Sequence, residues 1–287
     1  MEKLILERLT TLGHPQRMAL FRLLMRRYPQ AVPAGELAQA LGLKASTLSV
    51  YLSALAGVDL IAKSRHGTSL HYKVQQKAAR EIIDYLFLDC CRGRPQLCPT
   101  IAPIPSKGNQ PMSDRKLNVI FICTGNSARS IMAEAIMRDL DKARFNSFSA
   151  GTRPTGTPHP LALATLERNG HDIANLRSKN LDEFQKVGAP QMDFIFTVCD
   201  SAANEECAIW PGRPTSGHWG IPDPAAATGN DAEKSRAFAR AYKQMRARIE
   251  AFAALPDITP GTPELQNNID EIGNMPVQGQ GIDHGTF

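Results

Sequence analysis

The sequence predicts two domains, a mainly α-helical one followed by an α/β one built on a parallel sheet. Three observations carry this. Apolar residues recur at helical spacing through the first third, with one short alternating stretch. Beyond residue 116, apolar strands alternate with helical segments, the pattern of βαβ units. Between the two lies Pro99-Thr-Ile-Ala-Pro-Ile-Pro-Ser-Lys-Gly-Asn-Gln-Pro-Met-Ser113, with four prolines and little periodic apolar content, which reads as a linker. The charge also divides there: residues 1–98 carry 14 Lys/Arg against 7 Asp/Glu, and residues 116–287 carry 17 against 20. The expected division is therefore a first domain over 1–98, a linker over 99–115, a second domain over 116–272, and a Gly/Gln/Pro-rich tail over 273–287 with too little apolar content to pack.

A basic first third suits a polyanion partner, or else it is a solvated basic surface. No apolar run approaches the roughly 18 residues of a membrane span, and Met1-Glu2-Lys3 leads into an amphipathic helix. These features predict a cytoplasmic protein without a membrane partner, in which the 6 cysteines stay reduced.

Within the first domain, helical periodicity runs over about 2–11, 15–27 and 34–41, the last ended by Gly42. Ser46 is expected to cap a fourth helix with Leu48, Leu52 and Leu55 as its apolar stripe. Lys44, Ser46, Thr47, Ser49 and Tyr51 remain available on the other side. Helix, short turn and polar-faced helix form a helix-turn-helix, whose second helix enters the DNA major groove. Residues 60–65 and 69–74 then form a hairpin wing around His66-Gly67, with Arg65 placed to meet a phosphate or the minor groove. A final helix from 76 to about 90 carries Ile82, Ile83, Leu86 and Phe87, an apolar surface that dimerisation would cover.

Residues 5–91 resemble the arsenical-resistance repressor family (ArsR/SmtB-type). Leu12-Gly-His-Pro-Gln-Arg17 and Leu48-Ser-Val-Tyr-Leu-Ser-Ala-Leu55 carry the likeness. The resemblance implies a homodimer on palindromic operator DNA, released when a metalloid binds. One departure is plain: the helix before the recognition helix, Ala34-Gly-Glu-Leu-Ala-Gln-Ala-Leu41, lacks the cysteines that many members use. Thiols follow later, as Cys90-Cys91 and Cys98. Trivalent arsenic is satisfied by three thiolates, and Arg92 and Arg94 would favour deprotonation. Some members build an arsenic site from C-terminal cysteines, so this trio is the candidate site for arsenite as inducer. The alternative is one core cysteine and two incidental thiols. Zinc fits less well, because no histidine is near as a fourth ligand.

In the second domain, Leu117-Asn-Val-Ile-Phe-Ile122 is a buried strand that runs straight into Cys123-Thr-Gly-Asn-Ser-Ala-Arg-Ser130 and a helix over 131–140. A loop of Thr124, Gly125, Asn126, Ser127, Ala128, Arg129 and Ser130 between strand and helix turns backbone N–H groups on one point, a cradle for a tetrahedral oxyanion. The same field is expected to depress the Cys123 pKa and supply a thiolate nucleophile. Arg129 offers a bidentate fork and Ser130 a hydrogen bond to the sulfur. A second strand over 192–198 ends in Cys199, and a third apolar piece, 218–221, ends in Pro222-Asp223-Pro224. Parallel strands present their carboxyl ends on one edge, so Cys123, Cys199 and Asp223 can share a site. Cys207 follows on the loop after Cys199.

Residues 116 to about 272 resemble the low-molecular-weight tyrosine phosphatase fold and, within it, the arsenate reductases. The matching strings are 123–130, Ser149-Ala-Gly-Thr152, Thr197-Val-Cys-Asp200 and His218-Trp-Gly-Ile-Pro-Asp-Pro224. The resemblance implies a four-stranded parallel sheet. Reducing arsenate takes two electrons, which one new disulfide supplies, and a phosphatase needs neither Cys199 nor Cys207. Ala225 stands where the phosphatases typically carry an aromatic residue after Asp-Pro. The implied enzyme is thus a thiol-dependent arsenate reductase without a tightly bound cofactor. Cys123 attacks, Asp223 protonates the leaving oxygen, Cys199 resolves, and Cys207 is the candidate to pass the oxidation on. Seven residues separate Cys199 from Cys207, one more than in thioredoxin-coupled relatives, which leaves thioredoxin and a glutathione/glutaredoxin pair both open as electron donor. A core cysteine and a surface thiol are the alternative readings of Cys199 and Cys207. A tyrosine phosphatase joined to a DNA-binding domain is the alternative enzyme, and a sensor that binds an oxyanion without turnover is a third possibility. In a fusion, the linker's reach of roughly 20–25 Å would release arsenite near the thiol trio.

Overall fold

In a computed structural model, residues 2–86, 115–205, 210 and 214–276 are described, and the chain divides into two compact units between Arg115 and Lys116. The expected linker, the trio Cys90, Cys91 and Cys98, Cys207 and the tail from 277 onward all lie outside the described residues.

The first unit runs α1 (Glu2–Leu12), α2 (Pro15–Arg26), β1 (Val32–Pro33), α3 (Ala34–Leu41), α4 (Ala45–Gly57), β2 (Ile61–His66), β3 (Ser69–Val74) and α5 (Gln76–Asp84). Pro15 opens α2, where its missing N–H costs nothing. Gly42 closes α3 in the left-handed conformation, φ 62°, which a residue without Cβ adopts freely. The expected stripe of Leu48, Leu52 and Leu55 is the buried face of α4, packed into a core with Leu20, Leu23, Leu24 and Leu37. Ser46 does not cap this helix. The turn through Lys44, at φ −66° and ψ 143°, starts it two residues earlier, with Lys44 at the cap position and no side-chain cap bond. β2 and β3 form the expected antiparallel wing, with Arg65 opposite Leu70 and His66 opposite Ser69. The wing gains a third strand that the sequence concealed, since the two-residue β1 pairs with β3. Arg8 is buried and ties three elements together: its Nε donates to the Val58 carbonyl at 2.9 Å and Nη1 meets Glu81 at 2.6 Å.

The second unit runs β4 (Leu117–Cys123), α6 (Arg129–Leu140), β5 (Phe145–Gly151), α7 (Pro160–Arg168), β6 (Phe194–Thr197), α8 (Asp200–Asn204), β7 (Thr215–His218), α9 (Asp231–Ala253) and α10 (Pro263–Gly273). Its sheet is four-stranded and parallel throughout, in the order β5-β4-β6-β7. Burial on both faces explains the continuous apolar run of β4. β5 went unread in the sequence because Phe145-Asn-Ser-Phe-Ser-Ala-Gly151 is an edge strand with polar residues and no such run. The order places a switch point at β4 and β6: the chain leaves β4 for β5 on one side, then returns to build β6 and β7 on the other. Ligands of open α/β sheets bind outside the strand ends at that point.

Two strand boundaries differ from expectation, the first being β6, which occupies Phe194–Thr197 rather than 192–198. β7 occupies Thr215–His218 rather than 218–221, and Trp219 follows it into the core, stacked on Phe196 at 3.8 Å between ring centroids. The strand stops there because the next carbonyls, those of Trp219 and Gly220, are taken by the buried guanidinium of Arg248 from α9, at 3.0 Å each. Among the described residues, no helix is long and apolar enough to cross a membrane.

Candidate active site

Cys123 ends β4, and the loop 124–128 carries the chain into α6. The direction of the loop's peptide groups follows from its carbonyls. Those of Cys123, Thr124, Gly125 and Ser127 accept from the backbone N–H groups of Thr152, Arg153, Thr155 and His159, at 3.2, 2.9, 2.9 and 2.8 Å. In a trans peptide, the next residue's N–H points opposite to the carbonyl. The N–H groups of Thr124, Gly125, Asn126 and Ala128 therefore face away from that segment, and the Asn126 amide shows where they converge, donating to Cys123 Sγ at 3.2 Å. The first amides of α6 add their unpaired donors at the same place. This is a cradle for a tetrahedral anion, built from backbone.

Asn126 holds the loop from behind. It sits at φ +43°, a conformation that asparagine tolerates better than most side chains. Its side chain is fully buried, with Nδ2 donating to Ser130 Oγ at 2.8 Å and to Ser149 Oγ at 2.9 Å, and Oδ1 accepting from the Lys179 backbone at 2.6 Å. Ser149 donates onward to Glu134, whose Oε2 also binds Lys179 Nζ at 2.7 Å. Gly151 admits the loop, because a Cβ there would lie 2.6 Å from the Thr124 carbonyl. None of Ser149, Glu134 and Lys179 was singled out for this role in the sequence; an asparagine in a tight turn was the available signal.

The remaining expected residues assemble around Cys123. Ser130 Oγ is 2.9 Å from its sulfur. Arg129 is docked between the Ile221 carbonyl, at 3.1 Å, and the half-exposed Asp223 carboxylate, at 2.9 Å. Cys199 is 1% exposed and its Sγ lies 3.6 Å from Thr124 Oγ1, against the anion loop. Cys123 departs from expectation in one respect. Burial pushes its thiol upward, the Cys199 thiol adds to that, and the opposing pull of Ser130 and Arg129 does not overcome it. The sequence reveals the loop's favourable field but not the depth at which the fold buries the sulfur.

On the first unit, Lys44 is exposed at the cap of α4 and Ser46 and Ser49 are exposed on the helix, Thr47 and Tyr51 are half-buried, and Arg65 is exposed on the wing. The Tyr51 ring packs 5.1 Å from that of His14, so it is partly committed to the fold. Val50, not singled out in the sequence, is 65% exposed on the same face.

Residues 118–258 match the family described as low molecular weight phosphotyrosine protein phosphatase, and residues 12–63 match a helix-turn-helix domain. An arsenate reductase of Halalkalibacterium halodurans is 35% identical over 137 residues, which cover 47% of this chain and 94% of that protein. The chain belongs to the arsenate reductases of the low molecular weight phosphotyrosine protein phosphatase fold. Its phosphatase-family domain is fused to a helix-turn-helix domain. An arsenate reductase of Bacillus subtilis is 34% identical over 135 residues, 47% of this chain and 94% of the relative. Among solved structures, an arsenate reductase from Archaeoglobus fulgidus is similar at 26% identity and a TM-score of 0.36, covering 46% of this chain and 98% of that one.

Two outcomes are expected from this geometry. Lys179→Met leaves the largely buried Glu134 carboxylate without its cation and costs about 3–5 kcal/mol, read by denaturant unfolding. An unchanged midpoint would show that the network does not brace the loop. Alkylation of Cys123 by iodoacetamide needs the thiolate, so its rate rises with pH and is half-maximal above the ordinary thiol value of about 8.5. An inflection below pH 7 would show that the loop's field outweighs burial.

Proposed function

We propose that this chain is an arsenic-handling fusion in which the second domain reduces arsenate to arsenite and the first is an arsenite-responsive repressor. The observation that carries the enzymatic half is the second buried thiol, Cys199, set against the loop that cradles the nucleophile. A phosphatase has no use for it.

Arsenate is held by the amides of Thr124, Gly125, Asn126, Ser127, Ala128 and Ser130 and by the Arg129 fork. Cys123 attacks arsenic. An S–As bond forms, and an As–OH group leaves as water, carrying the thiol proton by way of Asp223. Cys199, as thiolate, then attacks Cys123 Sγ. The S–S bond forms as the S–As bond breaks, and arsenic keeps that electron pair, passing from As(V) to As(III). The two electrons come from the two thiols. Cys207 takes the disulfide onward to an external reductant, thioredoxin or a glutathione/glutaredoxin pair, as a cytoplasmic setting would supply.

In the repressor half, a homodimer binds operator DNA through Lys44, Ser46, Thr47, Ser49, Tyr51 and Arg65, and arsenite bound by Cys90, Cys91 and Cys98 releases it. The likeness of the 12–63 region to helix-turn-helix domains and the exposed polar side of α4 support this reading. We place the working boundaries at 1–98 for the first domain and 99–115 for the linker, with the second domain running from 116 through α10 to Met275, whose carbonyl Arg248 binds.

Arsenate added to reduced protein produces one intramolecular disulfide, mapped by mass spectrometry. It is lost in Cys123→Ser, and Cys199→Ser stalls the reaction before arsenite appears. Rapid aryl-phosphate hydrolysis indifferent to Cys199, with no disulfide, would favour a phosphatase instead. For the first domain, arsenite frees the protein from duplex DNA in a mobility-shift assay, and Cys90→Ser or Cys91→Ser abolishes the release. Release that persists in both would remove the thiol trio from the sensor.

A further inference from the structure

The short segment from His218 to Asp223 touches both halves of the site. At its far end, the Ile221 carbonyl and the Asp223 carboxylate hold Arg129 of the anion loop. Its middle is fixed by Arg248, which binds the carbonyls of Trp219 and Gly220. At its near end His218 reaches β6 and α8. The imidazole is wholly buried, and burial of such a ring is costly unless its nitrogens are bonded. Both are. Nδ1 lies 2.8 Å from Thr197 Oγ1 and Nε2 lies 3.0 Å from Asp200 Oδ1.

Thr197 is two residues before Cys199 and Asp200 is one after it, so the two bonds bracket the second cysteine. Gly220 makes this approach possible: a Cβ there would lie 2.7 Å from Asp200 Oδ1 and 2.8 Å from His218 Nε2. Cys199 itself is held only weakly. Its backbone is extended, at φ −145° and ψ 148°, and its sulfur accepts from the Ala202 N–H at 3.4 Å, as a cap on the first turn of α8. To reach Cys123 the sulfur has to give up that bond while its backbone stays beside the loop.

We propose that His218 is a positioning residue for the disulfide-forming step: it clamps Thr197 and Asp200, so that Cys199 can turn from its own helix onto Cys123 without the segment drifting from the anion loop. His218 does not touch the anion and acts only through Cys199. The inference rests on the resolving role proposed above for Cys199. It separates two steps that general damage to the fold would impair together, namely anion binding at 123–130 and closure of the Cys123–Cys199 bond.

The test uses the full chain and His218→Gln, with two readouts. Inorganic phosphate, which the loop can bind but not reduce, protects Cys123 from iodoacetamide, and its half-protecting concentration measures the cradle. The arsenate-driven Cys123–Cys199 disulfide, formed in a Cys207→Ser background so that it is not passed on, then acid-quenched and quantified by mass spectrometry, measures closure. Protection is expected to stay within about twofold of wild type while closure slows by tenfold or more, as befits losing two hydrogen bonds. Thr197→Val and Asp200→Ala each remove one bond from the outside and are expected to slow closure about fivefold. They carry the test if His218→Gln does not fold. Closure at the wild-type rate in these variants, or an equal loss of phosphate protection and closure, overturns the proposal. A Cys207→Ser chain with native His218 that forms no Cys123–Cys199 disulfide with arsenate defeats the resolving role of Cys199 itself, before His218 is in question.

Discussion

The second domain depends on turning one loop inside out. Ordinary loops at a strand end share their peptide groups with water, but here four carbonyls are drawn outward onto the backbone of residues 152–159, and the amides are left facing the sulfur of Cys123. That arrangement gathers partial positive charge from backbone dipoles, and the Arg129 guanidinium adds to it. It has to be held against the mutual repulsion of its own dipoles. Asn126 supplies the restraint: one buried amide, at an uncommon positive φ, bonds Ser130, Ser149 and the Lys179 backbone at once. The buried Glu134–Lys179 pair sets the far side of that network. A buried ion pair adds little net stability, but removing one member is costly, so its value lies in fixing geometry.

The sheet order brings chemistry to this loop. Because β4 and β6 are neighbours at the point where the connections diverge, the residues after each strand face each other across the crevice. Cys123 comes from one and Cys199 from the other, with Asp223 arriving from the turn after β7. Burial of both sulfurs has a chemical consequence. It raises the cost of a free thiolate at Cys123, against the opposing pull of Ser130 and Arg129.

The helix-turn-helix unit solves a different problem. It keeps a leucine-lined core beneath α4 and leaves short hydroxyl side chains on its outer face, with the basic wing beside it. Arg8 closes the core by bonding to the end of α4 and to α5, so the first and last described helices of the unit share one buried cation. Its surface chemistry, hydroxyls with one exposed valine, is suited to a groove that offers both polar edges and methyl groups.

Contiguous strings were readable in the sequence alone: the helix-turn-helix with its leucine stripe, the hairpin around Gly67, the strand running into Cys123, and the loop that follows. Each is encoded by local periodicity or by a short run of neighbouring residues, and local rules suffice for these. The polar edge strand β5, the two-residue β1 and the early end of β7 were not readable, because pairing partners and a buried arginine from distant segments decide them. Asn126 and Lys179 are 53 residues apart, and His218 lies 18 from Asp200, so nothing in either neighbourhood announces the contact. The direction of the Cys123 shift also belongs to tertiary structure. The sequence supplies the dipoles around the sulfur, whereas desolvation is set by what packs over it, and only the folded chain fixes that.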